Sequence, residues 1–186
     1  MWAVATEDPI VIVPYDPEWP GAFRRIGARL RSTLGATARR IDHVGSTAVP
    51  GLDAKPVIDI QVSVVAIAPE ALYLGPLETM GFRWDRENPD RSKRFFREPV
   101  GEHRTHIHVR EAGSLDEQLN LLLRDYLRTH PDVAAEYARV KWALAERFRN
   151  DREGYVRAKE PTVWSILRPA HDWAQQFAWR PGPSDA

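Results

Sequence analysis

Residues 56–65, PVIDIQVSVV, constrain the fold of this chain more than any other stretch. The run is rich in β-branched residues and begins at a proline, which predicts a strand, and its near-continuous apolar character indicates burial. Asp59 interrupts that character, and Gln61 follows on the same face because side chains of a strand alternate with period two. A buried carboxylate without a partner is costly. Asp59 is therefore either paired with an arginine or a ligand of a divalent metal ion.

The rest of the chain alternates between strand and helix patterns. Before Gly113 the predicted elements are an apolar strand or docked arm at 9–13, a helix at 18–34, a strand at 38–44, a helix at 69–80 and a hairpin formed by KRFFRE and THIHVR. Beyond Gly113 the pattern is helical, with a capping box of Ser114 and Glu117 at its start and an interruption of the last helix at Pro161. This order predicts an α+β (α/β-like) fold, a small sheet flanked by helices with a C-terminal helical segment.

The length of 186 residues suits one compact unit with a real core. Within that unit we predict an α/β core at residues 1–113 and a helical segment at residues 114–180 that packs on the core. Residues 181–186, PGPSDA, which include two prolines and a glycine, are predicted to be a flexible tail.

The charge and cysteine content exclude several classes of protein. Lys and Arg together number 26, as do Asp and Glu, so no net charge holds the chain on nucleic acid or an anionic membrane. The absence of cysteine excludes disulfides, thiolate metal sites and a cysteine nucleophile. The N-terminal stretch lacks the layout of an export signal, and no segment has the ~20 apolar residues of a membrane span. We expect a cytoplasmic protein with no membrane partner and no strong nucleic-acid binding.

A small-polar turn, Gly45-Ser46-Thr47, follows the strand that ends at Val44. Glycine permits close backbone approach, so such a turn can offer N–H groups and two hydroxyls to a phosphate. The stretch is not a P-loop, because Lys55 lies four residues beyond Gly51 and no Gly-Lys-Ser/Thr run exists. The alternative is an ordinary turn at the end of a strand.

His106 and His108 stand two positions apart in the strand THIHVR. Period two places both imidazoles on one face, where they can share a metal ion or handle protons. The pattern of a histidine-triad hydrolase fails, because its third position is Arg110. Exposed strand histidines without function are the alternative.

Basic residues provide the candidate phosphate contacts. Between Arg83 and Arg110 eight Lys or Arg residues stand against five acidic ones. Such a cluster is either a solvated face or a phosphate-lined cleft, for which the guanidinium fork is suited. The contacts that we select from these residues and from other segments are Lys55, Arg94, Arg124 and Lys141.

Several blocks of the sequence resemble the GrpB family, which is placed in the nucleotidyltransferase superfamily. They run from about Val13 to Leu167 and read YDPEWP, IDHVGSTAVPGLDAKPVIDI, RFFRE, THIHV, LLLRDYLRTHPDVAAEYARVKWALAERF and GYVRAKE. The resemblance implies a core like that of DNA polymerase beta, with a short mixed sheet, helices and, here, an appended helical segment.

The resemblance also implies roles for the candidate residues. Gly45 and Ser46 fall on the superfamily's phosphate turn, and Asp59 falls on the first carboxylate that binds a divalent metal ion, Mg or Mn. Position 61 departs from the pattern, because glutamine replaces the second carboxylate and is at most a weak ligand. We infer a modified site of Asp59, His106 and His108, a donor set that also suits Fe, Zn or Ni.

The leading hypothesis is a metal-dependent nucleotidyltransferase that moves a nucleoside monophosphate from an NTP to a small acceptor. Asp59 holds the metal ion, Ser46 and Thr47 hold phosphates, and His106 or His108 binds metal or takes the acceptor's proton. Arg94 and Lys141 stabilise the developing charge. The alternatives are a catalytically degenerate module that binds a nucleotide or metabolite, and a metal-dependent phosphohydrolase that uses Asp59 and the two histidines.

Overall fold

The computed structural model describes residues 9–186. Residues 1–8, which we assign to the core unit and in which we expect no export signal, lie outside the described residues. The helices are α1 (Trp19–Leu34), α2 (Ala71–Thr79), α3 (Leu115–Thr129), α4 (Pro131–Arg147) and α5 (Arg152–Gln176). The strands are β1 (Arg40–Val44), β2 (Ile58–Val64), β3 (Arg83–Trp84), β4 (Lys93–Arg97) and β5 (Thr105–Glu111).

The five strands form one mixed sheet in the order β1-β2-β5-β4-β3. β2 and β5 are parallel at its centre, and the other neighbours are antiparallel. The predicted α+β class with a small mixed sheet is confirmed. β4 and β5 form the predicted hairpin.

Alternation along β2 divides the molecule into two layers. Ile58, Ile60 and Val62 are buried and join Leu30 of α1 and Leu77 of α2 in the main core. The opposite face of the sheet packs against the C-terminal helices, which share a second core with the residues that follow β1. The sheet therefore has an apolar layer on one face, and the polar side chains of β2 face the other layer.

The last helix does not break where the sequence predicts. α5 continues through Pro161 and Pro169 as one helix of 25 residues. Both prolines are exposed, so the carbonyl groups that lose their N–H donors can be hydrated. Ile166, Leu167 and Ala170 are buried, and this packing holds the helix together past its first proline.

The predicted capping box is only partly formed. Ser114 is the N-cap residue of α3, but its hydroxyl has no hydrogen-bond partner among residues 9–186. The Glu117 carboxylate instead accepts from the Gly113 N–H at 2.6 Å and from the Ser63 hydroxyl at 2.5 Å. The residue that we expected to cap the helix thus joins α3 to β2.

Both ends of the described chain pack against the rest of the protein. The arm at 9–13 docks through a bridge between Val13 and Ala54 and a hydrogen bond from Ile10 N–H to the Arg149 carbonyl. Residues 181–186, expected to be a flexible tail, lie along the free edge of β1. Across residues 9–186, none of the helices combines the length and apolar character needed to cross a bilayer.

Candidate functional site

Asp59, His106 and His108 meet on the polar face of the two central strands. The parallel register of β2 and β5 places Asp59 opposite His106, and period two places His108 on the same face. Asp59 Oδ1 lies 3.2 Å from His106 Nδ1 and 3.1 Å from His108 Nε2. We call these three residues the Asp-His-His cluster.

The cluster has the composition and spacing of a metal site. One ligand atom from each residue lies within 4.8 Å of the other two. Ions such as zinc take imidazole nitrogen and carboxylate oxygen at ~2.0–2.2 Å, so small side-chain rotations suffice for a shared ion. One carboxylate with two imidazoles suits Mn, Fe, Zn or Ni.

Electrostatics favour an ionised carboxylate beside neutral imidazole. Burial alone raises the pKa of Asp59, but hydrogen bonds from His106 and His108 bring that pKa well below its usual value. Burial lowers the pKa of His108, which outweighs the opposing effect of Asp59. His106 Nε2 is buried and has no hydrogen-bond partner in the described part of the chain. Nδ1 is thus the nitrogen that His106 directs toward Asp59.

Gly45 lets the turn after β1 pass directly over the cluster. Its backbone is in the left-handed region, with φ of 71°. A Cβ added there would lie 2.7 Å from Asp59 Oδ2, closer than such contacts occur. Ser46 follows in a single short 3₁₀ turn, Ser46–Ala48, so a phosphate here would meet a loop and not the start of a long helix.

Thr47 is buried and supports the turn through its hydroxyl. Its buried hydroxyl donates to the Val57 carbonyl at 3.1 Å and lies 3.0 Å from His43 Nε2. The Thr47 hydroxyl is therefore engaged in holding the turn, and its expected role in phosphate binding stays a prediction. His43 has no role among the predictions made from the sequence. The period-two alternation along β1 nevertheless places its side chain on the apolar face of the sheet, with Ile41. Its ring stacks on Phe23 at 4.8 Å, and burial lowers the pKa of His43 to about 4.

A cleft of about 520 Å³ opens between the cluster, the Gly45 turn and helices α3, α4 and α5. Its lining is strongly basic. The cationic lining residues are Lys55, Lys93, Arg97, Arg124, Lys141, Arg152 and Lys159. These include all four lysines of the chain, at 55, 93, 141 and 159. Such a lining selects an anionic ligand.

Three lysines and two tyrosines form a basket at the helical end of the cleft. Lys141 lies 4.8 Å from the ring centroid of Tyr137 and donates to the Asp53 carbonyl. Lys55 and Lys159 lie 5.2 and 5.8 Å from the ring centroid of Tyr155. We call these five cleft residues, Lys55, Lys141, Lys159, Tyr137 and Tyr155, the lysine basket.

The amino groups of the basket are poorly solvated. Burial, followed by the nearby Lys159 cation, lowers the pKa of Lys141 to about 7. The same two causes, joined by Arg152, lower the pKa of Lys55 to about 8. A bound polyanion would raise the pKa of both amines and favour their charged form, because its negative charge compensates for the water that burial removes.

Arg94 does not reach the cleft. β4 alternates so that Lys93, Phe95 and Arg97 face the cleft, whereas Arg94 faces the α1 and α2 layer. Its Nε donates to Glu70 Oε1 at 2.8 Å. We therefore remove Arg94 from the candidate site, and Lys93 and Arg97 take its place.

The side chains of Arg124 and Gln61 already have hydrogen-bond partners within the protein. The Arg124 guanidinium lines the cleft and is held by Asp125 and Asp185, each at 2.8 Å. Gln61 is fully buried, accepts from Asn120 Nδ2 at 2.9 Å and donates to the Glu117 carbonyl at 3.2 Å. Its amide thus joins β2 to α3, and we remove it from the expected metal ligands.

Relatives of the chain fall into two groups. A UPF0157 protein of Pseudomonas aeruginosa, PA4798, is 44% identical over 170 residues, covering 89% of this chain and 69% of its own length. A dephospho-CoA kinase of Mycolicibacterium paratuberculosis is 36% identical over 198 residues, covering 93% of this chain. The chain spans 49%, about half, of that kinase.

Solved structures support both the family and the wider fold. The crystal structure of the conserved protein GrpB from Enterococcus faecalis matches with a TM-score of 0.80 and 27% identity, over 89% of this chain and 99% of that one. A Cid1 poly(U) polymerase structure with bound Mg and 3′-dATP matches with a TM-score of 0.52 and 15% identity, over 73% of this chain and 44% of that one. The second match shows a nucleotidyltransferase fold. The sequence model described as GrpB protein matches residues 9–169, and the chain belongs to the GrpB family.

Proposed function

We propose that this protein is a metal-dependent nucleotidyltransferase that moves a nucleoside monophosphate from an NTP to a small acceptor. The observation that carries the proposal is the Asp-His-His cluster under the Gly45 turn, in the lining of a cleft that also holds the lysines. The nucleotidyltransferase fold of the chain supports it.

The residues fit one metal ion better than two. Asp59, His106 and His108 would hold that ion, which when bound supplies Lewis-acid polarisation of a phosphate oxygen. Within residues 9–186 a second ion lacks the ligand expected at position 61, because the Gln61 amide is committed to Asn120 and Glu117. The lysine basket takes over part of the charge neutralisation that a second ion would provide.

The transfer itself is an in-line displacement at the α-phosphorus. The acceptor oxygen forms a bond to that phosphorus, the bond to the bridging oxygen breaks, and pyrophosphate leaves with the electron pair. The acceptor's proton passes to solvent, because both histidines of the cluster would be ligands of the ion. Lys55, Lys141 and Lys159 hold the departing pyrophosphate, and the backbone at Gly45 and Ser46 orients the phosphate chain.

Binding measurements test the first half of the proposal. Each of ATP, GTP, CTP and UTP is titrated calorimetrically with Mn²⁺ or Mg²⁺ present. We expect one NTP to bind only with metal, and Asp59→Asn to weaken metal binding by at least ~10–100-fold, the loss typical of changes near a metal. Asp172→Asn, an exposed change on α5 outside the cleft, is the matched control. Equal binding by both variants would remove Asp59 from the site.

A second candidate is a module that binds a nucleotide or metabolite without chemistry. Gln61 favours it, because the superfamily's second carboxylate is absent. The relatives named dephospho-CoA kinase make dephospho-CoA the metabolite to include among the ligands. Pyrophosphate release that depends on an acceptor supports the transferase, and binding without any release supports the module. Release of inorganic phosphate that is lost in His106→Gln and His108→Gln would instead indicate a phosphohydrolase.

A further inference from the structure

β1 is the edge strand of the sheet, and its free side is covered by residues 181–186. Edge strands present unpaired N–H and C=O groups that bind any extended segment able to pair with them. On β1 these groups belong to Ile41 and His43, which alternate with residues that pair toward β2. The site includes none of the three residues of the Asp-His-His cluster, although Arg124 contributes both to it and to the lining of the cleft.

Two side chains and one main-chain N–H of the tail form hydrogen bonds with the free edge of β1. Ser184 Oγ accepts from the Ile41 N–H at 2.8 Å, and the Ala186 N–H donates to the Ile41 carbonyl at 3.1 Å. Asp185 Oδ2 accepts from the His43 N–H at 3.0 Å and from Arg124 Nη1 at 2.8 Å. The Asp185 bond to Arg124 is charge-assisted and therefore stronger than a neutral pair.

The surface around the tail is shaped for it. Arg40 Nη1 donates to the Gly182 carbonyl at 2.8 Å, and Arg31 Nη2 donates to the Ala186 backbone oxygen at 2.9 Å. A Cβ at Gly27 of α1 would lie 2.8 Å from the Ala186 Cβ, so glycine leaves the notch that receives this methyl group. Hydrogen bonds to the free edge of β1, a charge-assisted acidic anchor and a side-chain notch together are the parts of a peptide site.

The tail and its receptor differ in their relation to the family. The residues that receive the tail, such as Arg31, Ile41 and Arg124, lie inside the stretch 9–169 that matches the family, whereas the tail lies beyond it. We propose that the β1 edge is a binding site for an extended acidic peptide of the type Ser-Asp-Ala, and that residues 181–186 are its intramolecular ligand. This inference does not depend on the proposed function.

A peptide added in trans tests the proposal. A shortened chain of residues 1–180 is titrated with a synthetic peptide of residues 181–186, PGPSDA. We expect a lower melting temperature for the shortened chain, saturable binding of the peptide, and restoration of the melting temperature. A peptide with Asn in place of Asp185 should bind at least about tenfold more weakly, because the charge-assisted bond is lost. The full chain should not bind the peptide, because its own tail competes at high effective concentration.

The proposal is overturned if the shortened chain melts like the full one, or if both chains bind the peptide equally or not at all. Should the shortened chain fail to fold, the full chain with Asp185→Asn is compared with Asp172→Asn by hydrogen exchange. We then expect faster exchange at the Ile41 and His43 amides in the Asp185 variant only. Unchanged exchange at both amides would show that the tail is not a ligand of this edge.

Discussion

At the scale of single residues, Gly45 decides whether the turn and the carboxylate of Asp59 can coexist. Gly45→Ala places a methyl group 2.7 Å from Asp59 Oδ2 at a φ of 71°. We expect weaker metal binding and a loss of about 1–3 kcal/mol in the free energy of unfolding. Calorimetric metal titration and chemical denaturation measure the two effects.

Gly51→Ala is the matched control for Gly45→Ala. Gly51 also has a positive φ, 76°, but nothing lies within 4 Å of its added Cβ. That variant should carry only the backbone cost of about 1–2 kcal/mol and should keep its metal affinity. A similar loss of metal affinity in both variants would contradict the steric argument.

Lys141 gives the cleft a pH dependence. Its pKa is about 7 in the folded protein against 10.5 in the unfolded chain, so only the unfolded chain keeps this proton between those values. The contribution of this lysine to stability therefore rises with pH across that window, and the cost of the buried charge is fully present below about pH 7.

We expect triphosphate binding to change with pH in the opposite direction. The anion needs a charged amine, so affinity should fall as pH rises from about 7 to about 9, and binding at the upper end should take up protons. Lys141→Arg should bind with little pH dependence from this position, because arginine stays protonated. Calorimetry in buffers of different ionisation enthalpy measures the proton uptake. An affinity that is constant over this range in the unaltered protein would contradict the assignment.

The candidate site is predictable from the sequence only where local spacing decides it. Period two along β5 pairs His106 with His108, and the apolar setting of Asp59 predicts a partner for it. The face on which Arg94 lies depends on the phase of β4 against β5, which spacing alone does not provide. The hydrogen bond from Asn120 to Gln61 depends on how α3 packs against the sheet, which is a tertiary contact that local sequence does not encode.

At the scale of elements, a proline in the interior of α5 lowers the stability of that helix. Pro161 lies inside the helix, lacks an N–H and leaves the carbonyl four residues before it without a donor. Pro161→Ala should raise the free energy of unfolding by up to about 3 kcal/mol, measured by chemical denaturation.

Pro131→Ala is the control for this helix argument. Pro131 opens α4, where a missing N–H costs nothing because that group has no helical acceptor. Its replacement should leave the free energy of unfolding nearly unchanged. An equal gain from both changes would point to a general effect on the unfolded chain and not to the interior of α5.

Elements were more predictable than their arrangement. The helix of α1, the strands β1 and β2, and the hairpin of β4 and β5 follow from periodicity and from glycine and proline boundaries. The parallel pairing of β2 with β5 joins strands far apart in the chain, and no local pattern encodes it. The continuity of α5 through two prolines depends on packing that propensity does not measure.

At the scale of the whole molecule, the cleft joins the sheet to the three C-terminal helices. Its lining comes from the Gly45 turn, β2, β4, β5, α3, α4 and α5. A ligand that binds there ties both layers and stabilises only the folded state. At a hundred times Kd the NTP with its metal should add about 2.7 kcal/mol, which raises Tm by several degrees.

Asp59→Asn should abolish most of that thermal shift, whereas Asp172→Asn should keep it. Scanning calorimetry with and without ligand measures both. A ligand that shifts the unaltered protein and the Asp59 variant equally would be bound elsewhere.

Because every lysine lies in one cleft, the reactivity of the protein's side-chain amines depends on whether that cleft is occupied. With lysines at 55, 93, 141 and 159, acylating reagents have no side-chain amine to attack outside it. Two of these amines, Lys55 and Lys141, have pKa values lowered to about 8 and about 7. At pH 7 about half of Lys141 and roughly a tenth of Lys55 is therefore the nucleophilic free base, far more than for an ordinary lysine. The extent of acylation at each lysine is measured by mass spectrometry with and without a ligand. A ligand that occupies the lysine basket should lower the acylation of these side chains.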